Sequence, residues 1–86
     1  MLIINQQKTL SVPADEIVLK VTDGGSGLSA LMAYPVGEYM SYNGRRLATY
    51  NTEERAQKVF LAVMDAYKRD IKIYFLPEDW LNEHYF

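Results

Sequence analysis

The sequence predicts a single α+β domain over residues 1–86: an antiparallel sheet of four to five strands, one long helix packed on one face, and a C-terminal edge strand. Apolar and polar residues alternate through Glu16-Ile17-Val18-Leu19-Lys20-Val21-Thr22, the period of a half-buried strand. From Ala56 to Tyr67 the apolar residues recur at the spacing of a helix laid across a sheet. Between these stretches, Tyr50-Asn51-Thr52-Glu53-Glu54-Arg55-Ala56 places capping side chains before a pair of acids, which marks a helix start.

Leu2-Ile3-Ile4 and Thr9-Leu10-Ser11-Val12 read as short strands, the second stopped by Pro13, which has no N–H for a ladder. In the next strand Ile17, Leu19 and Val21 share one face, and Val18 interrupts the wet one. Asp23-Gly24-Gly25-Ser26-Gly27 is a tight reversal, because glycine supplies the positive φ that such a turn needs. The following strand, Leu28 to Tyr34, puts Leu28, Ala30, Met32 and Tyr34 on one side, and Tyr34-Pro35-Val36-Gly37 closes a β-turn with proline second. Asn43-Gly44 suits a two-residue type I′ turn. Its register pairs Tyr42 with Arg45, Ser41 with Arg46, Met40 with Leu47 and Tyr39 with Ala48, which leaves apolar atoms on both faces and the choice of inner face open.

The helix is expected over residues 52–69, capped by Asn51 or Thr52, with Glu53 and Glu54 complementing the dipole in either case. Its buried stripe is Ala56, Val59, Phe60, Val63, Ala66 and Tyr67. Glu54 with Lys58 and Asp65 with Arg69 form i,i+4 pairs on the outer side. Leu61 falls in the polar arc, among Gln57, Lys58, Asp65 and Lys68. Residues 71–76 alternate again, and Pro77 ends them as it ends an edge strand. Beyond Asp79 come Trp80, Tyr85 and Phe86, an aromatic load unlike a disordered terminus, so this tail is expected to dock.

Composition excludes several functions. A chain this short buries only about 60–65% of its unfolded surface, so its margin of stability is slim and self-association adds to it. Without cysteine there is no disulfide or thiolate zinc site, and the single histidine, His84, cannot complete an imidazole site. No cofactor or metal is expected. A net charge of −2 offers no broad field to phosphate backbones. The first eight residues lack the basic and apolar regions of a leader, and no run reaches the length of a membrane span, so the protein is expected in the cytoplasm.

The remaining motifs carry little chemistry. The Asp23-Gly24-Gly25-Ser26-Gly27 loop lacks the lysine and following helix of a phosphate cradle and reads as a plain hairpin turn. Asp15/Glu16, Glu53/Glu54 and Glu78/Asp79 are sequence neighbours, whereas acid–base catalysis needs carboxylates that converge on one cleft. His84 has no nucleophile or carboxylate at a recognisable spacing. Arg45 and Arg46, near Tyr39 and Tyr42, form the best basic-aromatic candidate for single-stranded nucleic acid, though paired arginines at a hairpin tip are usually solvated. Seven tyrosines, one tryptophan and four methionines exceed what so small a core needs, and such residues are enriched where proteins touch proteins.

Leu47-Ala48-Thr49-Tyr50-Asn51-Thr52-Glu53-Glu54-Arg55-Ala56-Gln57-Lys58-Val59, with the N-terminal Ile4-Asn5-Gln6 and the downstream Leu76-Pro77-Glu78, resembles a group of small uncharacterised proteins of bacterial and prophage genomes. The chain departs from that pattern in its glycine-rich turn and in its tail beyond Asp79. The resemblance implies a strand-to-helix junction and a prophage setting, and it transfers no functional residue.

These readings give a non-enzymatic protein-binding module, expected as a homodimer and as a phage-encoded modulator of a host or competitor protein. Its expected contact residues are Leu61, Ile73, Trp80, Tyr85 and Phe86. The alternatives are a small-ligand or nucleotide sequestering protein, with a site near the Gly24 turn, and a weak nucleic-acid binder using Arg45 and Arg46.

Overall fold

The computed structural model describes residues 1–37 and 44–79. They form β1 (Leu2–Ile4), β2 (Ser11–Pro13), a 3₁₀ turn (Ala14–Glu16), β3 (Ile17–Gly25), β4 (Leu28–Pro35), β5 (Arg45–Tyr50), α1 (Glu53–Lys68) and β6 (Ile73–Phe75). The α+β class holds, but the strands divide into two three-stranded sheets, β2-β1-β6 and β3-β4-β5, in place of one sheet of four to five. The cause is the pairing of β6. It runs parallel to β1, with Leu2 opposite Ile73, Ile3 opposite Tyr74 and Ile4 opposite Phe75. A parallel neighbour needs a crossover connection, and α1 supplies the helical part of it.

β3 and β4 form the hairpin expected from the glycine-rich turn. Gly25 pairs with Leu28, leaving Ser26-Gly27 as the loop, and their φ angles of 55° and 80° give the positive pair that a type I′ turn requires. The Asp23 carboxylate accepts from the Gly25 N–H at 2.9 Å and steadies the bulge before it. The type I′ turn expected at Asn43-Gly44 includes Asn43, which lies outside the described residues.

The strand pairings expected for residues 39–42 lie outside the described residues. β5 pairs with β4, and a register shift beside Leu31 and Met32 inserts Leu47 as an extra residue. The bulge lets Leu47 and Ala48 both be buried, so they do not divide between two faces. Gly44 packs beneath Tyr34: a Cβ there would lie 2.7 Å from Cδ1 and 2.9 Å from Cζ of that ring.

Thr52, not Asn51, is the N-cap, its Oγ1 accepting from the Arg55 N–H at 3.0 Å. Ala56, Val59, Val63 and Ala66 are buried on the side of α1 that packs on β3-β4-β5. Ala56, Val59 and Val63 join Leu31, Ala33, Leu47 and Tyr50 in one core, which Ile3, Val12 and Leu76 complete from the side of the other sheet. Phe60 is half-buried and Tyr67 is exposed, so the buried stripe is narrower than the sequence suggests. Phe60 still packs against the core, and both residues line a cleft beside the 3₁₀ turn. Both expected ion pairs form, Lys58–Glu54 at 3.3 Å and Arg69–Asp65 at 3.1 Å. Being exposed, each contributes only about 0.3–0.5 kcal/mol.

Leu31→Ala is expected to cost about 2–5 kcal/mol, since it opens a cavity between α1 and the sheet. Leu61→Ala, in the polar arc, should stay within about 0.5 kcal/mol. Urea denaturation of both checks the assignment, and equal midpoints would contradict it.

Candidate protein-contact surface

The central strand β1 is built from apolar residues on both of its faces. Ile3 points inward with Val12 and Leu76, whereas Leu2 and Ile4 point outward beside Ile73 and Phe75. Leu2 is 42% exposed, Ile73 51% and Phe75 56%. Parallel strand pairs are normally covered on both faces, and here only the inner face is covered among the described residues. A contiguous apolar patch on a small monomer is the usual mark of a contact surface.

Two neighbouring polar side chains position this sheet. Asn5 closes the β1–β2 turn: its Oδ1 accepts from the N–H groups of Thr9 and Leu10 at 2.8 and 3.0 Å, and its Nδ2 donates to Thr9 Oγ1 at 3.1 Å. Gln6 reaches to the other sheet. Its N–H donates to the Leu47 carbonyl at 2.9 Å. Its Oε1 accepts from the Thr49 N–H at 3.0 Å, and its Nε2 donates to the carbonyls of Thr49 at 3.1 Å and Pro77 at 3.3 Å. The Pro77 carbonyl also accepts the Tyr50 hydroxyl at 2.8 Å, and Asp79 Oδ2 accepts from the Asn51 N–H at 2.7 Å. The chain just after β6 is therefore tied to β1, β5 and the entry to α1.

Tyr50 is wholly buried, and burial pushes its phenol well above the ordinary tyrosine value. The Arg55 guanidinium, 5.7 Å from the ring centroid, opposes part of that shift, while Tyr74 and Asp79 add to it.

Of the residues expected at the contact, Ile73 lies on the exposed β1/β6 face. Leu61 is 63% exposed but stands on α1, so it shares neither an element nor a sheet face with Ile73. Trp80, Tyr85 and Phe86 lie outside the described residues, as does His84. Sequence reasoning missed Leu2, Ile4 and Phe75. The signal available was an apolar run with no polar alternation in Leu2-Ile3-Ile4, matched by Ile73-Tyr74-Phe75-Leu76.

A second feature is a half-open cleft of about 310 Å³ between α1 and the N-terminal segments, lined by Ile3, Ile17, Leu19, Phe60 and Met64. Tyr67 donates to the Asp15 carboxylate at its edge. That hydrogen bond, with the carboxylate charge, raises the Tyr67 phenol above its ordinary value. The groove near the Gly24 turn instead contains the side chains of Asp23 and Glu53, two negative charges that disfavour a phosphate. Arg45 and Arg46 are consecutive on β5, opposite Ala33 and Met32, so their side chains leave on opposite sides of the sheet and form no single patch. Among the described residues no three His, Cys, Asp or Glu side chains gather as a metal site, and no helix is long and apolar enough to cross a membrane. Comparison with protein families, curated proteins and solved structures finds no match to this chain.

The buried phenol gives stability a defined alkaline dependence. Because the folded value of Tyr50 is raised, its contribution is complete below about pH 10, the unfolded value, and is lost as pH climbs toward the folded one. Wild-type stability should fall by up to about 1.4 kcal/mol per pH unit above pH 10 from this group. Tyr50→Phe should lose about 1 kcal/mol near neutrality and show a shallower alkaline decline. Urea denaturation between about pH 8 and 11 measures both, and parallel curves would refute the assignment.

Proposed function

We propose that this chain is a non-enzymatic protein-binding module whose contact surface is the outer face of β1 and β6. The observation that carries this reading is the exposed set Leu2, Ile73 and Phe75 on a parallel strand pair, an arrangement ordinarily covered on both sides. The face is apolar, which suits another protein surface better than a small polar solute. The setting implied by the sequence resemblance makes the module a phage-encoded modulator of a host or competitor protein, acting in the cytoplasm as a homodimer.

The cleft of about 310 Å³ favours a second reading, binding of a small apolar ligand, since it reaches the lower size range of ligand pockets. The nucleic-acid reading has less support, because Arg45 and Arg46 diverge.

Affinity capture from the native host with wild-type protein and with Phe75→Lys tests the main reading. Phe75 is exposed, so the variant should keep the far-UV circular dichroism of the parent while losing at least about nine-tenths of a reproducible protein partner. Equal recovery on both baits would move the contact to another surface, and a Met64→Trp variant that abolishes ligand binding without affecting capture would favour the cleft.

A further inference from the structure

The edge of β6 away from β1, which no described strand covers, has a hydrogen-bonding pattern that is half of a symmetric pair. The Leu2 N–H donates to the Lys72 carbonyl at 2.8 Å, and the Leu76 N–H donates to the Ile4 carbonyl at 3.0 Å. In a parallel ladder with this register, the backbone groups of Lys72, Tyr74 and Leu76 are the ones turned toward β1. The N–H and C=O of Ile73 and Phe75 therefore point the other way, off the sheet. Among the described residues β1 is the only strand that pairs with β6.

We infer that this edge pairs with a second copy of itself, antiparallel, about a two-fold axis at Tyr74. In that register Ile73 stands opposite Phe75 of the second copy, and Phe75 opposite Ile73. Both pairs fall where an antiparallel ladder exchanges its hydrogen bonds, so the groups that β1 leaves free bond one another. Lys72 comes opposite Leu76, and no like charges meet. The longer edge strand, β3, is a poorer candidate, because it carries Lys20 and Asp23, exposed charges that blunt strand addition.

The inference rests on the protein-contact reading of the β1/β6 face and adds who completes it. Pairing joins the two sheets as β2-β1-β6-β6-β1-β2. The Leu2, Ile4, Ile73 and Phe75 patches of two copies then form one continuous apolar platform. A protein partner would meet this composite face, and one copy alone presents only half of it.

Amide hydrogen exchange of the wild-type chain, read residue by residue by NMR at dilute and concentrated protein with light scattering on the same samples, tests the pairing. The mass should rise from 9.9 kDa toward twice that value. Over the same range, exchange at Ile73 and Phe75 should slow by at least about tenfold, while Tyr74, bonded to β1, stays protected throughout. A dimer in which Ile73 and Phe75 still exchange fast overturns the β6 pairing while leaving a protein-contact role intact. A monomer at every concentration with both amides fast overturns it as well, and the partner-capture assay then judges the contact reading separately. If both amides are protected at all dilutions and become fast in a chain ended after Asp79, residues 80–86 occupy the edge and the second copy does not.

Discussion

The Gln6 side-chain amide is the interaction on which the arrangement of the two sheets depends. It behaves as a one-residue strand laid along β5, accepting from the Thr49 N–H and donating to the Thr49 carbonyl. The same nitrogen reaches the Pro77 carbonyl, and the Gln6 backbone N–H bonds Leu47. Only a primary amide can accept and donate at once in this way. A carboxylate would set oxygen against the carbonyls of Thr49 and Pro77, and an aliphatic chain would leave partly buried backbone groups unpaired.

From this junction the remaining features follow. With β1 joined to β5 at Gln6, Ile3 is carried into the space beneath α1, where it closes the core with Val63 and Leu76. Pro77 is held by Gln6 and Tyr50 together, which sets β6 beside β1. The chain has one described helix, and its buried face is spent on β3-β4-β5. Nothing among the described residues covers the outer face of the smaller sheet. The exposed Leu2, Ile73 and Phe75 are thus a consequence of having two sheets and one α-helix among the described residues.

The helix and the β3–β4 hairpin were legible because their signals are local. Thr52 followed by acids marks the helix start, and the glycines after Asp23 mark the reversal, in each case through backbone chemistry contained within a few residues. What escaped was set by long-range pairing. That β6 bonds β1 in parallel depends on contacts between residues some seventy positions apart, and the alternation in residues 71–76 is compatible with any edge. The same gap hid the site: Ile73 could be picked out as an edge residue, but Leu2, Ile4 and Phe75 join it only once β1 is its neighbour. Leu61 was legible as exposed, yet nothing in its sequence spacing tied it to β6. Tyr67 reads as core because it follows Val63 by one helical turn, yet it stands exposed at the edge of the cleft, whereas Phe60 packs partly buried against the core.

The stability of Gln6→Leu, followed together with exchange at the Thr49 amide, measures what the side-chain amide contributes to joining the sheets. If the side-chain amide joins the sheets, Gln6→Leu should lose about 1–3 kcal/mol, because the Thr49 N–H and carbonyl lose their side-chain partner and the Pro77 carbonyl keeps only the Tyr50 hydroxyl. The Thr49 N–H should then exchange faster by at least about tenfold, while the β3–β4 hairpin keeps its protection. An unchanged unfolding midpoint with Thr49 as protected as in the parent would contradict the account, since the sheets would then be held together without Gln6.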